Sequence, residues 1–120
     1  MVVTQSMLNA MASALAQETY IVPAFMAFST SDTPAGLADT SLGGEIGDRV
    51  LMSLVKENNE VEYNALRTAS SVVASTGDRL RIIGSATTET GGLLMTARTI
   101  PGIIHTTTFD IDATIKIRFE

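Results

Sequence analysis

Phe109-Asp110-Ile111-Asp112-Ala113-Thr114-Ile115-Lys116-Ile117-Arg118-Phe119 alternates apolar and polar residues without interruption. Side chains on a strand point to opposite faces with a period of two, so the odd positions face a core and the even positions face water. At about 3.3 Å per residue such a strand spans on the order of 35 Å, which suits a sheet running the length of a β-sandwich.

Upstream of this stretch the chain continues in short β-prone runs separated by turn signals. Gly91-Gly92 precedes Leu93 to Ile100, and Pro101-Gly102 closes that run. Thr76-Gly77-Asp78 lies between Ser71–Ser75 and Leu80–Ile83 and predicts a hairpin. Asn58-Asn59 separates the Glu45–Val55 run from the alternating Val61, Tyr63 and Ala65, a second hairpin signal. The spacing within Glu45–Val55 fits a strand and a helix face equally, and we read it as strand. Tyr20 to Phe28 is nearly all apolar, and Pro23 within it predicts an edge strand or one that begins late. Met26, Met52 and Met95 lie in these runs and are expected to fill the core. Nothing alternates strands with helices. The fold class is all-β, an antiparallel jelly-roll-like β-sandwich over residues 18–120.

Residues 1–17 read differently. Met7, Leu8, Met11, Ala12 and Leu15 recur at helical spacing, and Thr4 or Ser6 is placed to cap the start. This predicts a short amino-terminal helix or arm, which must cover an open end of the sandwich or pack in an oligomer. The first basic residue is Arg49, so the segment lacks the positive start of a secretory signal, and its apolar runs are too short to span a membrane. Ser29 to Gly44, rich in Ser, Thr, Asp, Gly and Pro, is the longest expected loop, and loops of that length usually carry function. Met7, Leu8, Met11 and Leu15 of the arm, with Asp32, Pro34, Leu37 and Asp39 of the loop, are the candidate interface residues.

The chain has 120 residues, enough for one domain, with 8 basic against 13 acidic side chains and a net charge of −5. No basic stripe tracks phosphates, so nucleic acid is not expected as a partner, nor is a membrane. The absence of Cys removes disulfides, thiolate metal sites and a cysteine nucleophile. Aromatic residues are 5% of the chain with no Trp, poor material for stacking on sugars or bases. The only histidine, His105, sits among threonines before the last strand and reads as a solvated loop residue, not a catalytic base. Asp110 and Asp112 have the spacing to hold a hard cation with Asp32 or Asp39, but they read better as solubilising one sheet face or pairing with Lys116 and Arg118. Gly43-Gly44-Glu45-Ile46-Gly47 has the glycine spacing of a phosphate loop without the Lys or helix such a loop needs, and reads as a turn. We expect no enzyme, no cofactor and no metal.

The run Asp39-Thr40-Ser41-Leu42-Gly43-Gly44-Glu45, the hairpin through Asn59-Glu60-Val61-Glu62-Tyr63, Leu80-Arg81-Ile82-Ile83-Gly84, Gly91 to Arg98 and the final alternating strand together resemble small jelly-roll virion proteins of tailed bacteriophages. The chain departs from that pattern after Gly84, where Ser85-Ala86 stands in place of an apolar pair. The resemblance implies a structural protein made in the host cytoplasm without a signal peptide and located in the virion. It would be a capsid decoration (cement) protein binding the major capsid protein or other virion proteins as a homo-oligomer, most simply a trimer. A tail, fibre or baseplate component contacting the host surface is the alternative within the class. A carbohydrate-binding sandwich module is the alternative outside it.

Overall fold

The final alternation becomes strand β8, Ile111–Arg118, with Ala113, Ile115 and Ile117 buried and the residues between them exposed. It is the edge of a three-stranded antiparallel sheet whose other members are β4, Ser53–Glu57, and β5, Glu60–Arg67. The second sheet has five strands in the order β1 (Val2–Val3), β7 (Leu94–His105), β6 (Asp78–Ala86), β2 (Phe25–Ser29) and β3 (Val50–Leu51). A helix, α1, covers Gln5–Leu15, and a 3-10 turn, η1, covers Ala69–Ser71. The structure is a computed structural model and describes residues 1–18 and 21–119.

The two sheets enclose one apolar layer containing Met26, Phe28, Met52, Tyr63, Leu80, Ile83, Met95 and Ile115. The three methionines expected in the core are there. Fully burying a side chain of this size contributes about 1.5–3 kcal/mol, so this layer is the principal source of stability. β6 pairs with β7, and the same two stretches of chain continue as β5 and β8, which pair with each other in the opposite sheet. One long antiparallel ribbon is therefore folded over on itself, as in a jelly roll. The chain also passes between the sheets from β3 to β4 at Met52, whose amide donates to the carbonyl of Ala24, just before β2, at 2.8 Å.

Several expectations are met in detail. The Asn58-Asn59 hairpin forms with Glu57 opposite Glu60, and Asn58 takes a φ of 53°. β2 begins late, after Pro23, although it lies inside its sheet and not at the edge; Tyr20 is outside the described residues. Of the Glu45–Val55 run, residues 50–51 and 53–55 are strand. Glu45 makes only an isolated bridge to Ser29, because Gly44 and Gly47, with φ of 64° and 70°, turn the chain there.

Two turn signals act otherwise. Pro101-Gly102 does not end the strand: β7 runs through to His105, and the extra residues bulge out opposite Arg81, where the missing proline amide costs no ladder bond. Thr76-Gly77-Asp78 is not a hairpin. The chain between β5 and β6 has to change sheets, and η1 and the following loop make that crossing.

The outer face of the five-stranded sheet is also covered. Ala27, Ile82, Leu94 and Ala97 pack there against Leu42 and Ala35 of the Ser29–Gly44 loop. The loop is closed at its base, where Thr30 donates to the Gly44 carbonyl and Ile46 to that of Phe28. Gly84 makes the close approach possible. A Cβ at this position would lie 2.8 Å from the Thr96 carbonyl oxygen, 3.0 Å from Leu94 Cδ1 and 3.3 Å from Leu42 Cδ1. Gly84→Ala is expected to cost about 1–3 kcal/mol through overpacking. A thermal melt reads this as a drop of several degrees, and an unchanged midpoint would mean that Leu42 is not seated over the glycine.

Candidate functional site

At the fold of the ribbon, where both strands pass from one sheet to the other, three polar side chains are buried together. Arg67 is the last residue of β5, Asp78 the first of β6 and His105 the last of β7. Arg67 Nη2 donates to Asp78 Oδ2 at 2.9 Å and to the Ser71 carbonyl at 3.3 Å, and Nη1 donates to His105 Nδ1 at 2.6 Å. Its guanidinium lies over the Phe28 ring, 5.4 Å from the centroid. Asp78 further accepts the Val73 and Ala74 amides at 2.9 and 2.8 Å, which pins the sheet-to-sheet crossing. Burial pushes the Asp78 carboxyl up, but these two amides and the Arg67 guanidinium outweigh it and hold the group below the usual aspartate range.

His105 is thus not the solvated loop residue expected from its threonine neighbours. The continuation of β7 past Pro101 carries it into the interior, where it stands opposite Asp78 in the ladder. Nε2 donates to the Phe109 carbonyl at 2.7 Å while Nδ1 accepts from Arg67, so both ring nitrogens are occupied and neither is free to activate a nucleophile. The arrangement braces a corner: it ties β5, β6, β7 and the segment leading into β8 through side chains where the backbone ladders are interrupted. Arg67 extends the inward-facing series Tyr63 and Ala65, and a cation at a core-facing position was the sequence signal for this cluster.

The candidate interface residues fall into separate regions. Met7 is buried in the main core with Ala10, and Met11 is half-buried beside them. Leu8 and Leu15 lie beside Met11 at the margin of that buried face and are exposed. The five apolar residues of the arm therefore divide between the buried face of the helix and its exposed margin. Thr4 caps the helix as expected, accepting the Met7 amide, and its hydroxyl donates to the Leu94 carbonyl at 2.6 Å. With Val2–Val3 paired to β7, residues 2–11 are part of the sandwich. Leu8 and Met11 line a cleft of about 260 Å³ with Val3, Ile117 and Phe119. In the loop, Asp32, Pro34, Leu37 and Asp39 are all exposed. Asp39 accepts the Gly36 amide at 2.7 Å, and the Leu37 carbonyl accepts the Gln5 amide at 2.8 Å, so the loop tip touches the first turn of α1.

Asp110 has a role the sequence did not disclose. Its Oδ1 accepts the Ala69 amide at 2.7 Å, capping η1, while Asp112 lies on the exposed face of β8 opposite Leu66. Among the described residues no three His, Asp or Glu side chains come together as a metal site, and no helix is long and apolar enough to cross a membrane. No family model, curated protein or solved structure matches this chain.

Proposed function

We propose that the protein is a structural component of a bacteriophage particle that works by adhesion, as a homo-oligomer that decorates the capsid and holds neighbouring copies of the major capsid protein together. The observation that carries this reading is the surface. Leu15, Leu37, Leu51, Leu54, Val73 and Phe119 are all exposed on a body whose interior is already filled. Large apolar side chains left in water favour contact with other proteins where they adjoin one another, as Leu8 and Phe119 do along one cleft. The clefts described on the surface are about 160–280 Å³, below the 300–1,000 Å³ that small-molecule sites commonly offer, so flat contact is the better use of this body.

The mechanism is additive burial. Each copy seated across a junction between capsid subunits removes apolar surface from water, and the symmetry of the lattice repeats the contribution at every equivalent point. An antibody raised against the purified protein, applied to particles sedimented from a lysate of the source culture, tests the reading by electron microscopy. Label over the heads is the expected result. Label confined to tails transfers the protein to a fibre or baseplate role, and unlabelled particles in a lysate that contains the soluble protein overturn the virion reading.

A further inference from the structure

We infer that the outer face of α1 is a homotypic contact, and that in the oligomer proposed above the helices of neighbouring copies meet along Leu8, Ala12 and Leu15. This inference rests on the self-assembly part of that reading and not on the particle to which the oligomer binds.

α1 is apolar over more of its circumference than the core covers. Its inner face gives Met7 and Ala10 to the core, while its outer face presents Gln5, Leu8, Ala12 and Leu15, spaced by three, four and three residues. That is the seam spacing of helices that pack along one another. Leu15 is 85% exposed and Leu8 43%. Gln5, Ser6, Asn9 and Ser13 form the polar side of α1, and the stripe through Leu8, Ala12 and Leu15 is the part of its apolar arc that the chain leaves uncovered. The Gln5 amide is already used, donating to Asn9 at 3.0 Å, so the face offers little polar specificity.

Charge decides what covers it. Residues 1–17 contain no ionisable side chain, in a chain that carries 8 basic and 13 acidic ones. A helix that lies on a membrane surface needs Lys or Arg along its polar face, and α1 has neither; Arg118 stands at the wall of the adjoining cleft. The surface that best matches an uncharged apolar seam is a second uncharged apolar seam, and every copy supplies one. The patch also extends beyond the helix, to Phe119 across the cleft and to Leu37 beside Gln5, both exposed.

Light scattering on the full chain across a range of concentrations, with Leu8→Asp/Leu15→Asp in parallel, tests the contact. Both positions are exposed, so the variant is expected to keep its circular dichroism and melting midpoint while its mass falls from that of the oligomer to one copy, 12.7 kDa. Because the chain has no cysteine, Ala12→Cys provides a second readout: oxidation should link copies through position 12, while the control Thr107→Cys stays unlinked. An oligomer that survives both aspartates and does not link through position 12 overturns the α1 contact and leaves self-assembly standing. A native chain that is one copy at all concentrations, without linkage at position 12, overturns the contact and the homo-oligomer with it. Neither result bears on the particle labelling, which tests the virion reading separately.

Discussion

Arg67→Ala is expected to lower the free energy of unfolding by about 3–5 kcal/mol, a large share of the stability of a domain this size. The loss does not come from removing a favourable ion pair as such. Taking two charges out of water is costly, and the pair holds because Arg67 donates to Asp78, to His105 and to the Ser71 carbonyl, while Asp78 also accepts from the Val73 and Ala74 amides. Arg67 Nε, buried without a hydrogen-bond partner among the described residues, shows that even the native corner carries a cost. Truncating Arg67 leaves the Asp78 carboxylate in the interior without its cation, and leaves His105 Nδ1 without a donor. Arg67→Met combined with Asp78→Leu removes both charges and keeps apolar volume, so urea unfolding should show the double variant losing less than the single one. Equal losses would mean that the corner is held by packing alone.

The same corner sets the response to acid. The folded-state value of Asp78 lies below the ordinary one, so the unfolded chain takes up its proton first as pH falls. Its contribution is fully present above about pH 4, the ordinary aspartate value, and is lost as pH drops through the lower folded value. Asp78→Asn should be less stable at neutral pH and should show a flatter decline below about pH 4 in denaturation curves.

Deleting residues 2–16 is the second large effect, and the expected result is an unfolded chain, not an intact sandwich that has lost only its ability to assemble. The sequence predicts only a short helix or arm that covers an open end of the sandwich or packs in an oligomer. In the structure Val2 and Val3 pair with Ala97 and Thr96, Thr4 is buried with its hydroxyl on the Leu94 carbonyl, and Met7 and Ala10 complete the core. Truncating one buried Met to Ala already costs about 2–5 kcal/mol. Removing it together with an edge strand and a capped helix should exceed the 5–15 kcal/mol by which domains are stable. Loss of the β signal in circular dichroism and rapid proteolysis would show it, and a folded deletion variant would return the segment to the status of an arm. For this reason the self-association test uses the exposed Leu8 and Leu15, where charge can be added without opening the core.

Some features were local in the chain and could be read there. The alternation of Ile111 to Arg118, the Asn58-Asn59 turn, the Thr4 cap and the turn at Gly43 to Gly47 each depend on a few neighbouring residues, and the period-two pattern is enough to give an all-β sandwich. Tertiary structure decided the rest because the partners are far apart in sequence. A charged residue in a core-facing series, Arg67, needs Asp78 and His105 to make it tolerable, and the folding of one ribbon across two sheets brings them together. Pro101 reads as a stop, yet a bulge absorbs it and carries His105 inside. The apolar residues of the first helix share one composition, and only the placement of α1 against the core and β7 separates Met7, which is buried, from Leu8 and Leu15, which remain exposed for another copy to cover.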